Sequence, residues 1–171
     1  WGAFQIVHIQ LYKYYSFSQR IRRENAAAAA KAAAEMLLSG EEIRQVRLLT
    51  PKGIELYLEL EEIMRKKSEV SCAVRKYSGD DPDVTNGILV YATVQKVEKK
   101  SKINSENSVD LSEKINLDGG IGIGRVTKPG LEQKIGQAAI NKVPRRMICE
   151  AVEEVCRKYE YTGNLQVRLS V

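Results

Sequence analysis

The chain contains few of the residues that metal sites and nucleophilic catalysis use. Its 171 residues include 1 His and 3 Cys, and no Cys-x-x-Cys spacing occurs. Zinc sites draw on clusters of Cys and His, and a Ser-His-Asp triad needs a well-placed imidazole. His8 stands alone in an N-terminal stretch without a recognisable pattern. Zinc and triad chemistry are therefore close to excluded.

Long hydrophobic runs are absent as well. No apolar stretch approaches the ~20 residues that span a bilayer, and residues 1–17 lack the small-residue cleavage site of a signal peptide. Cys149 and Cys156 share a predicted helix about 10 Å apart along its axis, which is too far for a disulfide. An odd cysteine count suits a reduced protein. We therefore predict a cytoplasmic protein without a membrane partner.

The chain has only a modest excess of positive charge. The net charge is +5, and Lys and Arg are interspersed with Glu rather than gathered in a tail. This balance gives weak support to nucleic acid and fair support to an anionic small ligand, while a solvated basic surface is commoner than either. No aromatic side chains interleave with a basic stripe, so we predict no nucleic-acid partner.

The hydrophobic pattern predicts an α+β fold, with a mostly antiparallel sheet and helices packed on one face. One helix is predicted over residues 26–38, between an Asn25 N-cap and a Gly40 stop, and a second over about 145–159, with Pro144 in its first turn. Strands 44–50 and 54–60 are predicted to form a hairpin around residues 51–53, with apolar side chains alternating along the second strand. Further predicted strands cover the alternation from Val70 to Val74, 88–97 and 165–171. The strand at 88–97 is apolar on both faces near its start and is therefore placed centrally.

Two stretches between the predicted strands and the second helix are less regular. Residues 99–118 are polar and lack a hydrophobic period, which predicts an exposed excursion with a short strand near 109–111. Residues 121–127 are expected to run extended.

The glycine-rich segment 119–124 (GGIGIG) invites a nucleotide-loop interpretation that its spacing does not support. It is not G-x-G-x-x-G, it is followed by an extended pattern rather than a helix, and no Gly-Lys-Ser/Thr is present. The fold is therefore predicted to be non-Rossmann. The segment either lets a ligand approach the backbone closely or forms a plain turn, and the sequence leaves both open.

Charged and amide side chains near these turns are candidate ligand contacts. Lys128 precedes Pro129, and Arg145 lies at the start of the second predicted helix, where a guanidinium could clamp a carboxylate. A plain surface position is the commoner fate of any single Lys or Arg. Asn141 could cap the helix or offer its amide to a ligand.

Three carboxylates, those of Asp80, Asp81 and Asp83, fall within four residues. Hard metals bind such oxygens, but the alternate spacing and distal Glu of an EF-hand are missing. An Asx-turn leading into the Asn86-Gly87 turn is favoured over a metal site, and contact with a ligand stays open.

Four strings carry a resemblance to a known family: AAAAAKAAA at 26–34, VRKYSGDDPDVTNGI at 74–88, GGIGIGRVTKPGL at 119–131 and AINKVPRRMI at 139–148. In this order and at this spacing they resemble the cobalt-precorrin-5B C1-methyltransferases of anaerobic cobalamin biosynthesis. The resemblance covers roughly residues 26–171, the N-terminal portion of that family, whereas residues 1–25 match nothing recognisable. We therefore expect an N-terminal domain that is inactive on its own.

The resemblance implies transfer of a methyl group from S-adenosylmethionine to ring carbon 1 of a cobalt-containing tetrapyrrole. The cobalt belongs to the substrate, so no protein metal site is expected. A homo-oligomer is left open, and the alternative function is a non-catalytic α+β domain for tetrapyrrole binding or assembly. Convergence of the loops on one cleft would favour the enzyme.

The resemblance also assigns candidate roles to individual residues. The residues expected to bind the tetrapyrrole are Asp80, Asp81, Asp83, Thr85, Asn86, Thr127, Lys128, Asn141 and Arg145. The residues expected to bind the methyl donor are Gly120, Gly122 and Gly124.

Overall fold

The structure is a computed structural model that describes residues 23–76, 87–98, 114–128 and 134–171. Helix α1 covers residues 23–39, and α2 covers Lys142–Lys158. The strands, in chain order, are β1 Gln45–Leu49, β2 Glu55–Glu59, β3 Glu61–Arg65, β4 Glu69–Arg75, β5 Leu89–Val97, β6 Ile115–Gly119 and β7 Asn164–Ser170. None of the described helices is long and apolar enough to cross a membrane.

Helix α1 is built from alanines that the rest of the domain covers almost completely. Ala27 to Ala30 and Ala32 to Ala34 are fully buried, because side chains this small let the helix lie close to the sheet. Gly40 ends the helix as predicted, with φ of +77° and its N–H donating to the Met36 carbonyl at 3.1 Å.

The predicted N-cap at Asn25 is wrong. Residues 23 and 24 are already helical, since Arg and Glu are good helix formers and continue the helix toward the N-terminus. The Asn25 side chain is therefore inside the helix and buried, with only 3% of its surface exposed.

Strands β1 and β2 form the predicted hairpin as a separate two-stranded sheet. The Thr50 hydroxyl accepts a hydrogen bond from the Ile54 N–H at 3.0 Å and stabilises the turn. Leu56 and Leu58 are half-buried and alternate with exposed charged and aromatic side chains, as the period of two predicted. Ile54, at the turn, remains exposed.

The main sheet has five strands in the order β3-β4-β5-β7-β6. Its central strand is β5, which confirms the position predicted from the apolar pattern. All pairings are antiparallel except that of β6 with β7. These two parallel strands are joined through α2, because a parallel pair needs a long crossover connection.

The structure differs from the predictions at four places around this sheet. Strand β3 was not predicted, and the predicted excursion 99–118 ends in β6, whose Ile115 and Leu117 are buried. The segment 121–127 is not uniformly extended, since a turn at Ile121 and Gly122 precedes a single bridge between Arg125 and Ala138. Helix α2 begins three residues earlier than predicted, at Lys142. The short strand predicted at 109–111 lies outside the described residues.

Both helices lie on one face of the five-stranded sheet, as predicted. The Cys72 thiol of β4 donates to the Ala29 carbonyl of α1 at 3.3 Å. The two helices are tied side by side by the ammonium of Lys31, which contacts the Glu154 carboxylate at 2.8 Å, and by that of Lys158, which contacts Glu35 at 2.5 Å. Since both pairs advance by one helical turn in the same direction, α1 and α2 run parallel.

Candidate functional site

A cavity of about 320 Å³ lies at one end of the five-stranded sheet. At this end β4 and β6 finish, β5 begins and α2 begins. Three segments separated in sequence line the cavity: Lys76 with Ile88, Gly122 to Gly124, and Ala139 to Asn141. Arg23 and Ala26 of α1 also line the cavity. The topology thus brings together loops that are far apart in the chain.

The first segment frames the aspartate-rich loop. Asp80, Asp81, Asp83, Thr85 and Asn86 lie outside the described residues. The two ends of their loop are described, and backbone hydrogen bonds hold them together. The Lys76 N–H donates to the Ile88 carbonyl at 2.9 Å, and the Gly87 N–H donates to the Lys76 carbonyl at 2.8 Å. Lys76 and Ile88, on either side of this segment, therefore lie together at the cavity wall.

The second segment is the glycine-rich turn, which follows β6 and opens no helix, as the sequence predicted. The Gly120 N–H donates to the Leu169 carbonyl at 2.6 Å, and the Val171 N–H donates to the Ile121 carbonyl at 3.1 Å. Gly122 has φ of +78°. Gly122 and Gly124 line the cavity, whereas Gly120 packs beside Ser170 and Arg168 of β7.

Arg125 holds this turn in place. Its guanidinium contacts the Asp118 carboxylate at 2.5 Å, donates to the Gly119 carbonyl at 2.9 Å, and reaches the Gly136 carbonyl at 3.4 Å. The hydrogen bond from Arg125, with a smaller contribution from the Gly119 N–H, lowers the pKa of Asp118. The ion pair therefore persists through the neutral pH range and links both ends of the glycine-rich turn.

The third segment leads into α2 and contains Asn141. Asn141 occupies the N-cap position, but its side chain makes no capping hydrogen bond. Its backbone carbonyl accepts from the Arg145 N–H at 3.0 Å. Because Asn141 lines the cavity with an amide that does not cap the helix, its side chain is available to a ligand.

The other predicted contacts lie apart from the cavity wall. The Arg145 guanidinium donates to the Leu117 carbonyl of β6 at 3.2 Å and so joins α2 to the sheet. Thr127 and Lys128 are exposed beside the segment that the structure does not describe. The structure thus brings Gly122, Gly124 and Asn141 together and places the other described candidates around them.

Two cationic side chains in the cavity wall were not singled out from the sequence. Lys76 is 1% exposed, and Arg23 is half-buried. A signal for Lys76 existed: it continues the alternation of Val70, Cys72 and Val74, which all face the helices. No comparable signal pointed to Arg23.

The described residues offer few candidates for a nucleophile or a metal site. The three cysteines are free thiols, and burial raises the pKa of the Cys72 thiol to about 12. Within the described ranges, His, Cys, Asp and Glu form no group of three or more that could hold a metal ion.

Comparison with known proteins adds three kinds of similarity. The model of the CbiD family matches residues 23–171. A cobalt-precorrin-5B C(1)-methyltransferase of Ruminiclostridium cellulolyticum is 48% identical over 145 residues, which cover 85% of this chain and 34% of that protein. The protein of the same name from Clostridium botulinum (strain Eklund 17B / Type B) is 41% identical over 147 residues, which cover 80% of this chain and 37% of that protein.

A solved structure shares the fold. The crystal structure of a cobalamin biosynthesis protein (cbiD) from Archaeoglobus fulgidus superposes with a TM-score of 0.54 at 24% identity, covering 85% of this chain and 42% of that one. The chain spans about a third of the length of the curated relatives it matches.

Proposed function

The chain belongs to the CbiD family, and from this membership we propose that it takes part in C1-methylation of cobalt-precorrin-5B during cobalamin biosynthesis. The methyl donor would be S-adenosylmethionine, and the reaction would take place in the cytoplasm, where the free thiols of this chain remain reduced. The identity of 48% to a relative with that activity in its name supports the proposal.

The observation that carries the proposal is the convergence of the family's distinctive strings on one cavity. The ends of the aspartate-rich loop, the glycine-rich turn and the segment before α2 all contribute to its wall. These strings lie far apart in the sequence, so a scaffold would have no need to gather them at one end of the sheet. Their convergence favours an enzyme over a non-catalytic assembly domain.

Methyl transfer from S-adenosylmethionine needs little help from side chains acting as nucleophiles or bases. The sulfonium of S-adenosylmethionine is already activated, and the electron-rich macrocycle supplies the carbon nucleophile. The protein must hold the acceptor in line with the donor and keep water out. The cavity is suited to holding the acceptor, since apolar side chains such as Ile148 and Leu169 surround the cations and the Asn141 amide.

The described wall does not suit the donor equally well. The sulfonium and the ammonium of the donor would face the Arg23 guanidinium, and no described side chain of the wall is a carboxylate. The assignment of Gly120, Gly122 and Gly124 to the donor therefore remains a prediction. We assign the cavity to the acceptor.

A chimera tests the proposed function. In the full-length Ruminiclostridium cellulolyticum relative, the matching 145 residues are replaced by those of this chain. The chimera is then supplied with cobalt-precorrin-5B and S-adenosylmethionine carrying a labelled methyl group. We expect labelled product methylated at ring carbon 1, detected by mass spectrometry and NMR.

One outcome would count against the proposed activity, and another against the expected inactivity of the isolated chain. A folded chimera that transfers no methyl group, beside an active parent enzyme, would refute the assigned activity. Methyl transfer by the purified 171-residue chain would refute our expectation that the chain is inactive without the remainder of a full-length family protein.

A further inference from the structure

Two of the segments that line the cavity are joined to each other by a short antiparallel ribbon. Residues 124–126 and 136–139 form this ribbon, in which the Ala139 N–H donates to the Gly124 carbonyl at 2.8 Å. The first arm of the ribbon follows the glycine-rich turn, and the second arm leads into the segment before α2. Since both of these segments line the cavity, a displacement of the ribbon would move two parts of its wall together.

The two segments pack directly against the end of β6. Gly119 is the last residue of this strand, and a Cβ built on it would lie 2.5 Å from the Cγ2 of Ile123 and 3.0 Å from the Cβ of Ala138. Ile123 precedes the first arm of the ribbon, and Ala138 belongs to the second. A residue without a side chain at the end of β6 therefore allows both segments to touch the strand.

The Arg125 guanidinium joins the ribbon to β6 at the same point. It contacts the two carboxylate oxygens of Asp118 at 2.5 and 3.1 Å, and it donates to the Gly119 carbonyl at 2.9 Å and to the Gly136 carbonyl at 3.4 Å. A planar guanidinium that binds both oxygens of a carboxylate fixes direction as well as distance. Arg125, which lies on the first arm, thus connects the end of the strand to the second arm.

Stability alone gives little reason for so many contacts at one side chain. The side chains of Arg125 and Asp118 are 45% and 39% exposed, and exposed ion pairs contribute roughly 0–1 kcal/mol to folding. Packing on Gly119 and backbone hydrogen bonds already hold the ribbon against β6. The guanidinium adds a fixed orientation. Orientation matters in group transfer, where a displacement of about 1 Å can lower the rate about 100-fold.

We propose that Arg125 is a positioning residue for the methyl acceptor, and that it acts through the ribbon on the cavity wall. This role rests on the proposed function and extends it to a side chain outside the residues that line the cavity. Arg125 sets where the glycine-rich turn and Asn141 lie relative to each other. The groups of the wall remain in place without it, but their alignment is lost, so the effect should appear in kcat rather than in KM.

Steady-state kinetics of the chimera, with and without Arg125→Met, test this role. We expect kcat to fall about tenfold or more, while KM for cobalt-precorrin-5B changes less than about threefold. Arg157→Met is the matched control, because it also removes an arginine from an exposed ion pair, with Glu153 at 3.7 Å. It should leave kcat and KM within about twofold of the unmodified chimera. Circular dichroism and urea unfolding verify that each variant is folded at the assay temperature.

Gly119→Ala perturbs the same contact without removing a charge. Its Cβ would push Ile123 and Ala138 away from the end of β6, so we expect the same fall in kcat with little change in KM. If this variant does not fold, Arg125→Met decides the test alone.

The kinetic constants separate failure of the positioning role from failure of the function. An active chimera whose kcat is unchanged by Arg125→Met, or is lowered equally by Arg125→Met and Arg157→Met, would overturn the role and leave the proposed function standing. A rise in KM at unchanged kcat would also overturn it, because it would indicate a binding group rather than a positioning residue. An unmodified chimera without activity would refute the proposed function and the positioning role with it.

Discussion

Gly122 offers a sharp test of the glycine-rich turn, because a second glycine of the same turn serves as its control. Gly122 has φ of +78°, in the left-handed region, and a Cβ built on it would lie 2.6 Å from both the Val171 carbonyl oxygen and a Val171 methyl group. Gly124 has no positive φ, and a Cβ there would meet nothing within 4 Å. Both residues line the cavity.

The two alanine substitutions should therefore differ in cost. The left-handed conformation costs an L-residue about 1–2 kcal/mol, and displacing the Val171 carbonyl adds on the order of 1 kcal/mol. We expect Gly122→Ala to destabilise the domain by about 2–3 kcal/mol, which corresponds to roughly 5–10 °C in Tm. Gly124→Ala should be within about 0.5 kcal/mol of the unmodified chain, because its backbone suits any residue.

Urea unfolding followed by circular dichroism measures both variants against the unmodified chain, with the free energy of unfolding taken from the midpoint and slope. The reasoning is refuted if Gly122→Ala and Gly124→Ala have the same stability within about 0.5 kcal/mol. Equal stability would mean that the turn relaxes freely and that its close packing against Val171 is not a constraint.

Two further predictions concern the core and the helix pair. Burial raises the pKa of the Cys72 thiol to about 12. Above pH ~9 only the unfolded chain therefore loses the thiol proton, and the free energy of unfolding should fall by about 1.4 kcal/mol per pH unit. Urea unfolding from pH 9 to 11 should show this slope reduced in Cys72→Ala, and an unchanged slope would contradict the assignment. Glu154→Gln should cost about 1 kcal/mol, since it removes the partner of the Lys31 ammonium, whose side chain is 11% exposed. Glu150→Gln is the control, because Glu150 forms an exposed pair with Arg146 at 3.7 Å, and it should cost less than about 0.3 kcal/mol. If Glu154→Gln and Glu150→Gln lower the free energy of unfolding equally in the same urea assay, the Lys31–Glu154 pair makes no specific contribution.

The sequence was most informative where hydrophobic period and length agreed. The helix ending at Gly40, the hairpin and the central strand were all predicted, because each has a period that only one type of element satisfies. Strand β3, with the sequence EEIMR, has two adjacent apolar residues rather than an apolar alternation and was not recognised. Strand β6 was assigned to a polar excursion, since Asn116 separates its two buried aliphatic residues and Asp118 follows them.

The candidate site was predicted in part, for a related physical reason. Turn residues and glycines identify loops in sequence, and the glycine-rich turn, the segment before α2 and the residues that flank the aspartate-rich segment do meet at one cavity. Contacts between residues far apart in the chain decide which cations join these loops, and a single sequence does not reveal those contacts. Arg23 enters the wall because α1 extends past the predicted cap, and Lys76 enters because β4 continues its alternation past its last ladder pair. Arg145 donates to a carbonyl of β6, and its contact with a ligand stays a prediction.

The position of β7 has a consequence for how the domain is synthesised. Although β7 is the last strand in chain order, it lies inside the sheet and pairs with β5 on one side and β6 on the other. A nascent chain on the ribosome therefore exposes β5 with one open edge, and β6 with no partner among the described strands, until residues 164–170 emerge. Open strand edges invite pairing with other chains, and contacts this distant in sequence form slowly. Translation must pass through an aggregation-prone interval before the cavity can form.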